Sequence, residues 1–225
     1  MIETKNLTRS FKNGDVETLV LKGIDFIAGD GEFIAIMGRS GAGKSTFLYQ
    51  MSLLDEPTGG EIKIDGHDTH RMSERERMRF RLNSFGYVFQ DYALLPELTA
   101  VENVALPLLM QNHSKAVAYA QAAAALERAA LSHRLHNLPS QLSGGEQQRV
   151  SISRAIAHKP KILFADEPTA NLDNESSRGI MEIFQDLHKQ GQTIIMVTHE
   201  EEYAKLAGRV VRMDDGRIIS QTHRG

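Results

Sequence analysis

A glycine-rich loop near residue 40 carries the residue types that bind phosphate. Its sequence, Gly38-Arg39-Ser40-Gly41-Ala42-Gly43-Lys44-Ser45-Thr46, fits the spacing G-x-x-x-x-G-K-[ST] without a mismatch. Phosphate oxygens need several backbone N–H groups converging on them, and glycines let the chain turn tightly enough to present these groups. The loop lies between an apolar run and a helical pattern, so the positive end of a helix adds to the site. We expect Lys44 to neutralise the β- and γ-phosphates of a bound nucleotide and Ser45 to ligate Mg²⁺.

Two carboxylates follow a second apolar run. Asp166-Glu167 comes directly after Ile162 to Ala165, and the end of a buried strand would place the pair at the edge where α/β proteins bind ligands. One carboxylate, Asp166, is expected to hold the metal or its waters, and Glu167 to orient the attacking water. Taken alone, an acidic pair after a strand is equally well a solvated turn. The phosphate loop upstream favours the hydrolytic interpretation.

A second glycine motif, Leu142-Ser143-Gly144-Gly145-Glu146, opens a predicted helix. Serine and two glycines at a helix start form a second anion site, although an ordinary capped helix also begins with serine. The motif resembles the signature of the ABC ATPases, usually Leu-Ser-Gly-Gly-Gln, with Glu146 in the fifth position. The run Gln147-Gln148-Arg149-Val150 and Ser153-Arg154-Ala155 continues the resemblance. In that family the signature of one subunit covers the γ-phosphate held by its partner, which implies a dimer closed around ATP.

Further residues match the family in order along the chain. Phe11 is similar to the aromatic residue that stacks on adenine, with ordinary packing as the alternative. The resemblance implies that Gln90 contacts Mg²⁺ or its water, that Asn171-Leu172-Asp173 crosses the dimer interface, and that His199 is the switch histidine on the γ-phosphate. It therefore implies catalytic roles for Lys44, Gln90, Glu167 and His199, metal ligation by Ser45, Gln90 and Asp166, and nucleotide contacts by Phe11, the loop from Gly38 to Thr46, Ser143, Gly144, Gly145 and Glu146.

Three stretches resemble the lipoprotein-release and macrolide-efflux branch of the family: residues 53–60, residues 94–108 and residues 165–173. The branch implies a second ATPase subunit, most simply an identical copy, and integral-membrane permease subunits that hold the ATPase at the cytoplasmic face of the membrane. An ATPase of a cell-division or antimicrobial-peptide-resistance complex, which transmits force or a signal, is the alternative. The permease is expected to contact the segment from Asp91 to Asn103, where Tyr92, Leu94, Leu95 and Leu98 either line a groove or pack inside the lobe.

The elements that must position these residues alternate between apolar strands and amphipathic helices. Such alternation predicts an α/β fold: a P-loop NTPase core with a mainly parallel sheet, an N-terminal antiparallel β subdomain and an inserted α-helical subdomain. We expect one ABC ATPase domain over 1–225, with 1–91 and 160–225 forming the core and β subdomain, and about 92–159 forming the helical subdomain. A helix after the phosphate loop is predicted to present Phe47, Leu48, Met51 and Leu54 on one face.

Composition excludes several classes of protein. The 225 residues carry a net charge of −3, which predicts no binding to nucleic acid. With no cysteine, the chain has no disulfide, thiolate zinc site or cysteine nucleophile. No signal-peptide core and no apolar run of about 18–20 residues is found, so a membrane partner is expected to be a separate protein. Repair or translation ABC ATPases and GTPases or small-molecule kinases are the rivals. The chain lacks a coiled-coil insertion, a second ATPase domain and an Asn-Lys-x-Asp motif.

Overall fold

The computed structural model describes residues 1–223, and these residues form an α/β fold with ten strands and seven α-helices. The strands in chain order are β1 Ile2–Asn13, β2 Val16–Ala28, β3 Phe33–Gly38, β4 Gly59–Ile64, β5 His67–Asp68, β6 Phe85–Val88, β7 Ile162–Asp166, β8 Thr193–Val197, β9 Arg209–Asp214 and β10 Arg217–His223. The helices are α1 Lys44–Met51, α2 Glu74–Ser84, α3 Ala100–Met110, α4 Lys115–Arg128, α5 Gly144–Ile156, α6 Asn174–Lys189 and α7 Glu201–Ala204.

The chain divides into two compact units. The first unit contains residues 1–79 and the chain from Gly191 onward, and the second contains Phe80–Gln190. The split between a core at 1–91 and 160–225 and a helical subdomain at about 92–159 stays a prediction.

An antiparallel sheet in the first unit has the strand order β2-β1-β4-β5. Its longest pair is a hairpin in which Asn13 lies opposite Val16, so the two-residue turn is Gly14-Asp15 and directly follows Asn13, at an Asn-Gly pair of the kind that favours hairpins. Ile2 and Leu7 of β1 are fully buried, while most of the outer half of the hairpin is exposed. The predicted N-terminal antiparallel β subdomain is therefore present.

A second sheet of the first unit has the order β10-β9-β3-β8. Strand β3 is parallel to both β8 and β9 and is buried between them, which explains its continuous apolar run. Helix α1 buries Phe47, Leu48 and Met51 as expected, but it ends at Met51. The prediction that Leu54 shares this face is wrong, because the chain has left the helix and reversed at Leu53, whose φ is 58°, and Leu54 is 44% exposed.

The second unit combines two parallel strands with a helical layer. Strands β6 and β7 pair in parallel, with Val88 opposite Ala165. Helices α3, α4 and α5 bury an apolar cluster that includes Val104, Leu126 and Val150. The amphipathic helix α6 buries Ile180, Phe184 and Leu187 on one face. Within residues 1–223, no helix is both long enough and apolar enough to span a bilayer.

Several helices begin at a capping side chain. Ser73 and Glu76 form a capping box, in which the Ser73 N–H donates to the Glu76 carboxylate at 2.7 Å and the Ser73 hydroxyl accepts the Glu76 N–H at 3.3 Å. The pKa of Glu76 is lowered because its carboxylate accepts bonds from Ser73. A second box at Thr99 and Glu102 starts α3 and was not expected from the sequence.

Candidate functional site

The phosphate loop is built at the carboxyl end of β3 and closes onto the start of α1. A Cβ at Gly38 would lie 2.3 Å from the carbonyl oxygen of Met213, so only glycine fits this close approach of two strands. Helix α1 begins after Gly43 without a side-chain cap. A helix start of this kind presents backbone N–H groups and the positive end of the dipole to an anion.

Lys44 is the first residue of α1 and is 7% exposed. Its Nζ donates to the carbonyl oxygen of Arg39 at 3.1 Å, so the side chain folds back across the loop. The loop itself is closed by a bond from the Ala42 N–H to the same carbonyl at 3.1 Å. The ammonium is therefore held against the backbone of the loop.

Two further predicted residues belong to the same compact unit as the loop. His199 follows β8, whose Val197 pairs with Ile36 of β3, and the carboxyl ends of these parallel strands lie at one edge of the sheet. His199 is exposed there. Phe11 lies on the β1–β2 hairpin and is 44% exposed, with the Arg9 guanidinium 4.5 Å from its ring centre. Strand β2 reaches the loop through backbone bonds from Lys22 to Gly216 and from Gly216 to Ala42.

The acidic pair and Gln90 lie together in the second unit. Asp166 ends β7 and is 5% exposed, and Glu167 follows in a left-handed conformation with φ 45°. Gln90 follows the neighbouring parallel strand β6 and is exposed. Both strands therefore bring their predicted residues to the same edge. The side-chain amide of Asn171 donates to the Gln90 carbonyl oxygen at 3.0 Å and joins the two segments.

The signature motif forms the capped start of α5. The Ser143 hydroxyl accepts the Glu146 N–H at 3.3 Å, and the Glu146 carboxylate accepts the Ser143 N–H at 2.8 Å. A Cβ at Gly145 would lie 2.6 Å from the Ser176 hydroxyl, so glycine is needed where α5 meets the start of α6. The Gln148 side chain donates to the Pro168 carbonyl oxygen at 2.7 Å, which fastens α5 to the segment after Glu167.

Arg154 is a structural residue of this region whose role the sequence reasoning missed. Its guanidinium donates to the carbonyl oxygens of Ala93 at 2.5 Å and Tyr92 at 2.9 Å. Both of those residues have positive φ, 48° and 63°, which is costly for residues other than glycine. Arg154 thus holds the strained segment that follows Gln90. The sequence contained a weak signal, an arginine one helical turn after Val150, but nothing that named its partners.

Electrostatic shifts in the second unit follow from local bonds and burial. The pKa of Glu146 is lowered mainly because its carboxylate accepts the Ser143 N–H. Burial acts in the opposite direction, and the bond from Arg134 lowers the pKa further. Bonds from Ser176 lower the pKa of Asp173, which caps α6. Burial raises the pKa of the Tyr92 hydroxyl. The two carboxylates that cap helices are therefore held ionised by the N–H groups they accept.

The four apolar residues expected at a permease surface differ in their exposure. Leu95 is 42% exposed, whereas Leu94 packs against the apolar cluster of α3, α4 and α5. Tyr92 and Leu98 are half-buried. The alternative that such residues pack inside the lobe therefore holds for Leu94.

Comparison with known proteins agrees with this geometry. Residues 21–170 match the family model described as ABC transporter. The chain belongs to the ABC transporter family. It is 47% identical over 219 residues to the uncharacterized ABC transporter ATP-binding protein MJ1508 of Methanocaldococcus jannaschii, covering 97% of this chain and 98% of that protein. It is 45% identical to the lipoprotein-releasing system ATP-binding protein LolD of Geobacter metallireducens, covering 98% of both chains.

Two other similarities are informative. The macrolide export ATP-binding/permease protein MacB of Marinobacter nauticus is 44% identical over 222 residues, which is 99% of this chain but only 34% of MacB. The chain thus spans about a third of that relative's length. Among solved structures, the ATP-binding cassette MJ0796, described as dimeric and bound to ADP and Pi after hydrolysis, superposes with a TM-score of 0.94 at 38% identity and covers 100% of both chains. The predicted α/β cassette fold and the ABC ATPase assignment are confirmed.

Proposed function

We propose that this ABC ATPase subunit works as a pair of copies closed around two ATP molecules, and that closure drives a separate membrane permease of the lipoprotein-release or macrolide-export type. The observation that supports the pair is the presence of two phosphate-binding elements on one chain. The loop from Gly38 to Thr46 and the capped helix start at Ser143 each suit an anion, and one nucleotide site does not need both. The similar cassette MJ0796 is dimeric.

Within the proposed pair, each residue has a defined task. Lys44 and the loop N–H groups hold the β- and γ-phosphates, and Phe11 stacks on adenine. Glu167 orients the attacking water, and His199 contacts the γ-phosphate. Ser143 and Gly145 of the second copy cover the same phosphate. Gly144 and Glu146 complete that segment.

Metal binding in the proposed site is assigned by the chemistry of the donors. Ser45, Gln90 and Asp166 offer a hydroxyl, an amide oxygen and a carboxylate, the hard oxygen ligands that Mg²⁺ prefers. When bound, Mg²⁺ would neutralise charge on the phosphate oxygens. The three residues hold the ion directly or through water.

The closed pair of copies has a higher affinity for ATP than for ADP, and this difference drives the proposed cycle of closing and opening. Only ATP carries the γ-phosphate that the second copy's Ser143 and Gly145 contact, so ATP favours the closed pair and ADP does not. A ligand shifts such an equilibrium only by its differential affinity for the two states. Hydrolysis therefore reopens the pair, and a permease bound to both copies, at the cytoplasmic face of a membrane, is moved by each cycle.

The pairing is tested by the mass of Glu167→Gln protein in solution. This change keeps the size of the side chain but removes the carboxylate that orients water. The variant should therefore still bind ATP but hydrolyse it very slowly. We expect a monomer without nucleotide and a dimer in saturating ATP with Mg²⁺, measured by light scattering. A monomer under both conditions, while the unmodified chain dimerises, would contradict the proposal.

A matched variant separates nucleotide binding from closure. Ser143→Arg in the Glu167→Gln background puts a bulky side chain into the segment that covers the phosphate of the other copy. ATP should still bind to the monomer, measured with a fluorescent ATP analogue, but the dimer should be lost. Lys44→Ala is the opposite control and should lose ATP binding itself.

The permease type is tested by co-purification from the source cells' membranes with the affinity-tagged ATPase. A membrane protein with four predicted transmembrane helices and a large external domain is the expected partner. Recovery of a partner that spans the membrane many more times, without such a domain, would refute the assignment to this branch.

A further inference from the structure

A charge pair lies inside the signature segment. The Arg134 guanidinium donates through Nε to one carboxylate oxygen of Glu146 at 2.9 Å, while the other oxygen accepts the Ser143 N–H at 2.8 Å. The Glu146 side chain is only 13% exposed and that of Arg134 is 38% exposed. Each oxygen of the carboxylate therefore has its own donor.

Glutamate at this position brings two opposing effects. A carboxylate in the first turn of a helix is stabilised by the helix dipole and by the N–H it caps. The same helix start is the part of the proposed closed pair that covers a γ-phosphate, and a carboxylate repels a phosphate. The repulsion is weakly screened because Glu146 is largely buried.

The charge pair between Arg134 and Glu146 requires both of these residue types. A glutamine at 146 has a single oxygen, which could accept the Ser143 N–H, but its NH₂ group would then face the N–H donors of Arg134. Glutamate accepts from the Ser143 N–H and from the Arg134 Nε–H at once. The fifth residue of this signature thus fits an arginine twelve positions before it.

Arg134 is itself held in place before any ligand binds. Its N–H donates to the Leu131 carbonyl oxygen at 2.9 Å, and its carbonyl oxygen accepts the Asn137 N–H at 3.0 Å. Leu131 is fully buried in the apolar cluster of α3, α4 and α5. The guanidinium therefore starts from a fixed backbone turn, and little ordering is needed to form the bond.

We propose that Arg134 is a positioning residue for the signature segment: it keeps the Glu146 carboxylate in its capping position and offsets its negative charge, so that this helix start can accept the γ-phosphate of ATP on a second copy. The inference rests on the proposed function. In this role Arg134 contacts neither ATP nor the attacking water.

The test is a double-mutant cycle in the Glu167→Gln background, read as the ATP concentration at half-maximal dimerisation. Arg134→Ala leaves an uncompensated carboxylate, and we expect this concentration to rise by about tenfold or more. Adding Glu146→Gln removes the carboxylate, and the double variant should return to within about twofold of Glu146→Gln alone. Arg128→Ala is the matched control, because its guanidinium bonds to Gln190, away from the signature, and it should leave the concentration unchanged.

A merely structural role gives a different pattern. If Arg134 only stabilised the lobe, Arg134→Ala would lower the melting temperature and weaken dimerisation equally with either residue at 146. Arg134→Lys keeps the charge and should retain most of the ATP response. If the Arg134→Ala protein does not fold, Arg134→Gln, a neutral variant of similar length, takes its place in the cycle.

The outcomes separate the inference from the proposed function. An unchanged ATP requirement in a folded neutral variant, or a loss that Glu146→Gln does not reverse, overturns the role of Arg134 while the ATP-driven dimer stands. If the Glu167→Gln parent stays monomeric in ATP, the proposed function is refuted and the inference falls with it.

Discussion

Replacing Arg154 tests how the backbone after Gln90 is held. Arg154→Met keeps the length of the side chain and its apolar stem but removes both bonds to the carbonyl oxygens of Tyr92 and Ala93. A hydrogen bond to a charged group contributes about 1.5–3 kcal/mol, and water can replace part of this because one bond is exposed. Two such bonds would contribute about 3–6 kcal/mol, and we therefore expect a loss of about 3 kcal/mol in the free energy of unfolding, the lower limit of that range.

Urea unfolding measures this change, and the ATPase rate measures its consequence. Without the guanidinium the two positive-φ residues keep only their local backbone bonds to Phe89 and Asp91, so the segment carrying Gln90 should move and the ATPase rate should fall. Arg128→Met is the control, because its single bond to Gln190 is exposed, and it should stay within about 0.5 kcal/mol of the parent. Equal unfolding free energies for the two variants would refute the reasoning.

Three other predictions follow from particular contacts. Gly38→Ala should destabilise the fold by about 1–3 kcal/mol through the forced contact with Met213 and weaken ATP binding, whereas Gly179→Ala, at a helical position with open space around it and no positive φ, should keep the fold; equal urea midpoints would contradict this. Phe11→Ala should raise the KM for ATP several-fold, and the same change at exposed Val16 should not. Burial lowers the pKa of His158, whose Nδ1 has no hydrogen-bond partner within residues 1–223. As the pH is lowered, the unfolded chain therefore binds a proton at this residue before the folded chain does. The free energy of unfolding should decrease as the pH falls from about 7.5 to about 5.5, and it should decrease less in His158→Gln.

Local signals explain what could be predicted from the sequence. The loop at Gly38 to Thr46 and the strand ends before Asp166 and Gln90 depend on neighbouring residues alone, and the structure has strands and a helix at these places. The capping box at Ser73 is another local pattern. In each case the required partner lies within a few residues along the chain.

Partners distant in sequence could not be predicted in the same way. Arg154 meets carbonyl groups 61 and 62 residues away, and a backbone carbonyl has no sequence signature. Apolar spacing predicts that the helix after the phosphate loop includes Leu54, whereas the helix ends at Met51. Such spacing alone does not indicate where the backbone leaves the helix. Arg134 pairs with Glu146 across a turn that only the folded lobe creates.

The central claim is that the loop at Gly38 to Thr46 of one copy faces the signature at Ser143 of another. The absence of cysteine from the sequence allows a direct measurement. One Glu167→Gln chain carries Arg39→Cys, another carries Gln141→Cys, and the mixture is treated with a short bifunctional maleimide with and without ATP. We predict a cross-linked pair containing one copy of each chain, formed only with ATP. No mixed pair in ATP, or an equal yield without nucleotide, would contradict the claim.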